Sequence, residues 1–315
     1  MLNSRICDVI GIRYPIFQGG MAWVSDAKLA AAVSNAGGLG IISAMNADVD
    51  YVRSQIRLCR QMTDAPFGVN IMLMSPHVEA VAKLAAEERV PVVTTGAGLP
   101  GKYMPAWLEA GVKVVPVVPS VAIARRVERS GAVAVIAEGT ESGGHIGELT
   151  TMALVPQVAD AVKVPVIAAG GIADGRGMAA AFMLGAEGVQ CGTRFLSAVE
   201  CGIHPEYKRK VLEARDISTQ VTGRRLGHPV RALKNPFTNK FAEMEKDPAV
   251  SDEALAAFGT GAVRKAAVDG NLQEGSFLAG QIAALVKKEQ TAREIVDEMM
   301  RETEQILQEA SKWVR

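Results

Sequence analysis

Cysteine is rare in this chain and never clustered. Cys7, Cys59, Cys191 and Cys201 stand far apart with no CxxC pair, so neither a zinc cluster nor a disulfide framework is indicated, and a reducing, cytoplasmic setting is the expectation. An excess of charge is also missing, since 34 Lys and Arg balance 34 Asp and Glu. Without net basic charge or a long basic run there is no electrostatic footprint of a nucleic-acid binder. No stretch approaches the ~18 apolar residues of a membrane helix. The opening MLNSRICDVIGIRYP places Arg5, Asp8 and Arg13 where a secretory signal needs an uninterrupted apolar run. Aromatic residues make up 5% of the chain, which argues against an aromatic binding platform.

What the chain does have is 315 residues, 49% of them hydrophobic, and 31 glycines. That length suits two domains, or one barrel of about 250 residues with an insertion. Short apolar runs recur at fairly even spacing: Pro15 to Gln18, Leu39 to Ser43, Phe67 to Met72, Pro91 to Thr95, Lys113 to Val118, Val133 to Ala137, Val164 to Ala169 and Gly188 to Gly192. Most are continuously apolar, as strands buried on both faces of a parallel sheet must be. Ala-rich segments of helical periodicity lie between them, for example Asp26 to Ala36, Val121 to Ser130, Thr151 to Val162 and Arg176 to Leu184. Glycine follows Ala36, Ala110 and Leu184, as a left-handed helix cap requires. Eight βα units favour an α/β fold of the TIM (β/α)8 barrel type over a doubly wound open sheet.

After the eighth run the rhythm breaks. Residues 199–270 read as a small, mostly helical insertion forming a lid, leaving 1–198 and 271–315 as the barrel with C-terminal helices. Ser276 to Lys287 reads as a helix able to close the barrel, and Thr291 to Val314 as an amphipathic tail.

A TIM barrel builds its active site from the loops after the strands, often with phosphate held after strands seven and eight. The loop after strand seven, AAGGIADG, places Gly170 and Gly171 before a helix, whose N-terminal dipole and loop N–H groups could face an anion. Gly192 and Thr193 follow strand eight. Gly19 and Gly20 after strand one would let the backbone lie flat against a planar ligand. Asn70 and Glu138 close strands three and six and offer polar groups to it. The segment AEGTESGGHIGE presents His145 among Gly143, Gly144 and Gly147, and imidazole is the side chain able to exchange a proton near neutral pH. His77, His204 and His228 read as structural or surface residues, and no His/Asp cluster supports a catalytic metal. TTGAGLPG matches GxGxxG at Gly96, Gly98 and Gly101. Pro100 inside it, and the lack of an acidic residue about 20 positions on, exclude a Rossmann site. The loop remains free to line the mouth. A phosphate cradle, a planar surface and one presented histidine together suggest a flavin enzyme.

Taken together, YPIFQGGMAWV (Tyr14 to Val24), AGGLGII, FGVNIML, VTTGAG, ESGGHIG, PVIAAGGIADG and GTRF resemble the FMN-dependent enoyl-acyl-carrier-protein reductases II of FabK type, within the nitronate monooxygenase (2-nitropropane dioxygenase) superfamily. VRALKN and AGQIA extend the likeness over most of the chain. The resemblance implies electron flow from NADH or NADPH through bound FMN to a trans-2-enoyl thioester on acyl carrier protein, with His145 as the catalytic residue. It also implies FMN contacts at Gly20, Met21, Ala22, Asn70, Glu138, Gly144, Gly170, Gly171, Gln190, Gly192 and Thr193, and a weaker one at Gln281. A homodimer and a response to a monovalent cation are implied as well, though no motif here derives either. IISAMN after strand two departs from the Gly-rich loop of that family and leaves open what Ser43 and Asn46 do there. The alternative enzyme is a nitronate monooxygenase; a non-catalytic flavin-binding or carrier-binding module is the alternative of another class. Because acyl carrier protein is acidic, the reductase reading expects basic residues near the mouth, with Arg224, Arg225, Arg231 and Lys234 as candidates.

Overall fold

The computed structural model describes residues 2, 4–44 and 47–313; Asn46 and the end of the expected C-terminal helix at Val314 lie outside them. Among the described residues eleven strands are formed: β1 (Ile16–Gln18), β2 (Gly40–Ser43), β3 (Phe67–Met72), β4 (Val92–Gly96), β5 (Lys113–Val118), β6 (Val135–Glu138), β7 (Gly144–His145), β8 (Val166–Ala169), β9 (Gly188–Cys191), β10 (Thr219–Thr222) and β11 (Val230–Leu233). β1 to β6, β8 and β9 are the eight expected runs. They pair in parallel in the order β2-β3-β4-β5-β6-β8-β9-β1. The seam between β1 and β2 closes through a single parallel bridge, Phe17 to Leu39, so the sheet is a TIM barrel.

A buried side chain reinforces that seam. Gln18 Oε1 accepts from the Ile41 N–H at 3.1 Å and its Nε2 donates to Ser25 Oγ at 2.8 Å. Helices between strands begin where the sequence supplies caps: Asp26, Asp48 and Ser120 each accept an N–H of the first turn. Gly37, Gly111 and Gly185 take the positive φ expected of them.

Strand alternation sorts the barrel interior into layers. Phe17, Ile41, Val92, Val115, Ile136 and Ile167 form an inner cluster, and helix Arg5–Ile10 plugs its N-terminal end with Ile6 and Ile10. Two residues further along β6 the same inward face carries Glu138. Asn70 and Gln190 hold the corresponding positions near the ends of β3 and β9. The inward polar residues therefore collect at the C-terminal mouth because the hydrophobic layers fill everything below.

The insertion is not helical throughout. Helices Pro205–Leu212, Pro236–Lys246, Asp252–Gly259 and Ala262–Ala267 surround an antiparallel pair, β10 and β11. Phe237, Phe241, Leu255 and Ala262 make a small cluster of their own, with Phe237 stacked on Phe258 at 5.1 Å. Tyr207, Val211, Leu233 and Ala266 instead join the main core.

Two C-terminal expectations change. Ser276 to Lys287 does not form an α-helix; only a 3-10 turn, Gln281–Leu285, is present. Tertiary hydrogen bonds take its backbone: the Leu233 N–H donates to the Phe277 carbonyl at 2.8 Å, the Gly280 N–H to Thr193 Oγ1 at 2.8 Å, and the Gln281 N–H to the Glu141 carbonyl at 2.9 Å. The outer helix that completes the barrel is Ala292–Gln308, which buries Ile295, Val296, Met299 and Met300 against the helices at 27–35 and 175–183. Thr291 and Glu294 cap it reciprocally. Among the described residues no helix is long and apolar enough to cross a membrane.

Candidate active site

A cavity of about 530 Å³ opens at the C-terminal end of the barrel, within the roughly 300–1,000 Å³ range of ligand pockets. Gly20, Met21, Ala22, Asn70, Glu138, Gly144, His145, Gly170, Gly171, Gln190, Gly192 and Thr193 all line it. Gln281 does not: its side chain is exposed, and Gly280 and Ile282 on either side reach the cavity instead.

The floor is made of main chain. Gly170 and Gly171 are consecutive positive-φ residues, at 89° and 74°, a backbone that favours glycine. Among the described residues neither these N–H groups nor that of Gly192 has a protein acceptor. Free main-chain N–H groups lining a cavity suit a phosphate group. The helix dipole, however, is not available to it. Asp174 caps the following helix by accepting from Arg176 and Gly177, and Glu302 accepts the Gly175 N–H at 3.0 Å, so two carboxylates already occupy that N-terminus.

The glycines after β1 also do something other than flatten the backbone. A Cβ on Gly20 would lie 2.3 Å from Asn70 Cβ, and one on Gly19 would lie 3.2 Å from the Gln190 amide carbon. Their absence of side chain admits Asn70 and Gln190 to the cavity. Thr94 donates to Asn70 Oδ1 at 3.0 Å, which leaves the Asn70 amide N–H groups for a ligand. Burial pushes the Glu138 carboxyl up to about 7, the Ser142 hydroxyl opposing this in part. Cys191 also lines the cavity, but burial holds its thiol up at about 12, so it is no nucleophile at neutral pH.

The opposite wall is aliphatic: Leu99, Pro119, Ile123, Ile146 and Ile282. The loop Gly96–Leu99, excluded as a dinucleotide fingerprint, contributes to this mouth. Leu99 lies in the loop expected to be free to line the mouth; Pro119, Ile123, Ile146 and Ile282 are additions, and all but Ile282, in the C-terminal segment, lie on or just beyond a loop that follows a barrel strand.

His145 stands at the rim, exposed to the cleft. Its pKa is pushed below the ordinary imidazole value by desolvation and, second, by the charge of His228, so at neutral pH the ring is uncharged and can donate a hydrogen bond. The glycines beside it are packed rather than open. A Cβ on Gly143 would lie 2.6 Å from the Ala279 carbonyl carbon, and one on Gly147 3.2 Å from Pro119 Cβ. Of the four basic candidates, Arg231 is buried and bonded to Thr140. Arg225 is tied to Asp252 and to the Asp247 and Val250 carbonyls. Arg224 and Lys234 remain exposed, which halves the expected basic patch.

Comparison with known proteins fits this geometry. The nitronate monooxygenase family model matches residues 3–88 and 77–302. The chain belongs to the nitronate monooxygenase family. Among solved structures, this family member superposes on FabK from Thermotoga maritima with a TM-score of 0.97 and 49% identity over 100% of both chains. It superposes on the nitroalkane oxidase from Streptomyces ansochromogenes with a TM-score of 0.87 and 29% identity, covering 98% of this chain and 100% of the other. A Mycobacterium tuberculosis relative, (3aS,4S,5R,7aS)-5-hydroxy-7a-methyl-1-oxo-octahydro-1H-indene-4-carboxyl-CoA dehydrogenase, is 33% identical over 99% of each chain.

Proposed function

We propose that this protein is an FMN-dependent enoyl-acyl-carrier-protein reductase, taking electrons from NADH or NADPH and reducing a trans-2-enoyl thioester in fatty acid synthesis. The observation that carries this is the 49% identity to FabK over the full length of both chains, combined with a cavity polar on its floor and aliphatic on its wall. The residues present fit FMN. Gly170, Gly171 and Gly192 would hold the phosphate through their unpaired N–H groups, while Asn70, Glu138 and Gln190 offer donors and an acceptor to the ribityl chain and ring edge. When bound, FMN supplies the two-electron relay between the nicotinamide and the carbon–carbon double bond.

The chain's own residues do the rest. The aliphatic wall of Leu99, Pro119, Ile123 and Ile146 excludes water and receives the acyl chain. His145, uncharged at neutral pH, donates a hydrogen bond to the thioester carbonyl and stabilises the charge that builds there as the double bond is reduced. Acyl carrier protein is the partner that delivers the substrate, and a cytoplasmic homodimer that responds to a monovalent cation belongs to the same proposal.

Anaerobic bleaching of the yellow protein by NADH or NADPH, followed by crotonyl thioester, tests it. Rapid bleaching and thioester-dependent return of the oxidised spectrum are expected. If neither nicotinamide bleaches the protein and a nitronate does, it is a nitronate monooxygenase instead.

A further inference from the structure

The loop from Gly139 to Thr150 carries His145, and three struts hold it. Glu141 accepts the Thr151 N–H at 2.9 Å and meets the Thr151 hydroxyl at 2.9 Å, which caps a helix whose N-cap residue Thr150 provides no side-chain bond. β7 pairs antiparallel with β11, Gly144 opposite Arg231 and His145 opposite Val230. The third strut is the Arg231 side chain. Its Nε and one terminal nitrogen donate to the Thr140 carbonyl at 3.2 and 3.0 Å, and its other terminal nitrogen donates to Thr219 Oγ1 at 3.3 Å.

This arginine is costly for stability alone. It is 7% exposed, and among the described residues no carboxylate lies within ion-pairing distance of it. Its hydrogen bonds go to neutral oxygens, and the Glu141 carboxylate, beyond ion-pairing distance, offsets the desolvation of the guanidinium only in part. What the arrangement does provide is geometry. Arg231 grips the turn at both ends, by its main chain at Gly144 and by its guanidinium at Thr140, and so closes the ESGG turn that ends in His145. Thr219, on β10, buttresses the guanidinium from behind. Arg231 does not line the cavity, so it acts through the loop and not on the substrate.

We infer, resting on the role of His145 in the enoyl reductase reading, that Arg231 is a positioning residue for His145 and that the inserted hairpin is thereby part of the active site. The N–H groups that would hold the FMN phosphate follow β8 and β9, and the Arg231 guanidinium bonds Thr140 rather than the Glu141–Thr151 contact that reaches the Gly170 carbonyl, so the two half-reactions should respond differently. In Arg231→Ala, turnover of crotonyl thioester should fall about 10- to 100-fold. KM, FMN content and anaerobic bleaching by the nicotinamide should stay within about threefold of wild type on the same argument. Arg231→Lys, which keeps the charge and one donor, should recover part of the loss. The double variant H145A/R231A should be no slower than H145A, because residues acting as one unit are not additive.

Equal slowing of both half-reactions by R231A would overturn the inference, as would a loss that multiplies with that of H145A. If R231A does not fold, Thr219→Val removes only the buttress. A smaller loss confined to the thioester step is then expected, and no loss or an equal loss in both steps sinks the idea. Should wild type ignore thioesters but turn over a nitronate, the enoyl reductase reading fails by itself. The same double-variant comparison on the nitronate then decides the role of Arg231 separately.

Discussion

The floor of the cavity is assembled from main chain at the ends of β1, β8 and β9, whereas the rim around His145 is assembled by side chains that reach across from another part of the sequence. On the floor, Gly170, Gly171 and Gly192 present N–H groups, and missing Cβ atoms at Gly19 and Gly20 admit Gln190 and Asn70. At the rim, Glu141, Arg231 and the pairing of β7 with β11 hold the long loop that follows β6. A floor built on the sheet inherits the rigidity of the sheet. A rim held by separate struts can be loosened one bond at a time; of these, the Glu141 strut also reaches the floor, because the Thr151 hydroxyl bonds the Gly170 carbonyl.

The sharpest way to break this contrast is His145→Ala. Its thioester half-reaction should fall by about 10²- to 10⁴-fold, while bleaching by the nicotinamide, a property of the floor, stays unchanged in stopped-flow traces. Loss of both would show that the two regions are not separable.

Glu138 probes the floor alone. Its carboxyl rises from 4.5 to about 7 on folding, so the folded chain holds the proton more tightly than the unfolded one. The contribution of Glu138 to stability is then fully present below about pH 4.5 and is lost as pH rises through about 7, by about 3 kcal/mol at most. Glu138→Gln should flatten that part of the melting-temperature profile of FMN-free protein. A wild-type profile with no such slope would mean the carboxyl is not held neutral. Gly20→Ala places a methyl group against Asn70 and should cost about 1–3 kcal/mol in denaturant unfolding, together with weaker retention of FMN and an intact thioester step in whatever fraction still holds flavin. The smallest effect belongs to exposed residues beyond the cavity lining. Charge reversal at Arg224 and Lys234 should slow reduction of carrier-protein thioesters at low salt, with little change for short thioesters; equal effects on both would remove acyl carrier protein from the account of these residues.

The same contrast explains what could be read from the chain beforehand. Each barrel strand announces itself by a local apolar run, and Asn70, Glu138 and Gly170 are legible at the ends of those runs, whereas Gln190 enters only through the family resemblance. Arg231 was legible only as a charge. Its use depends on Thr140, 91 positions away, and nothing local distinguishes a guanidinium bonded to a carbonyl from one facing acyl carrier protein. β10 escaped notice because TQVT is mostly half-buried and shows no alternation. Ser276 to Lys287 misled in the opposite direction, since its apolar, Ala-rich composition favours helix but Gly280 must pass so close to the Glu141 carbonyl that a Cβ would lie 2.7 Å from it. Gln281 was expected in the site through its motif, and the same crossing turns its side chain outward.

The helix Arg5–Ile10 that plugs the base of the barrel has a consequence for synthesis. Ser4 and Arg5 bind Glu187 across a separation of more than 180 residues, and Ile6 packs where Gly188 leaves room for it. On the ribosome this segment precedes the whole barrel, yet its docking surface exists only after β9 has been made. The plug must therefore wait, its isoleucines unburied, while eight strands are produced. Its contacts with Glu187 and Gly188 form only once those residues are made, and a nascent chain stalled before residue 187 is expected to expose the segment to a protease more than the finished chain does.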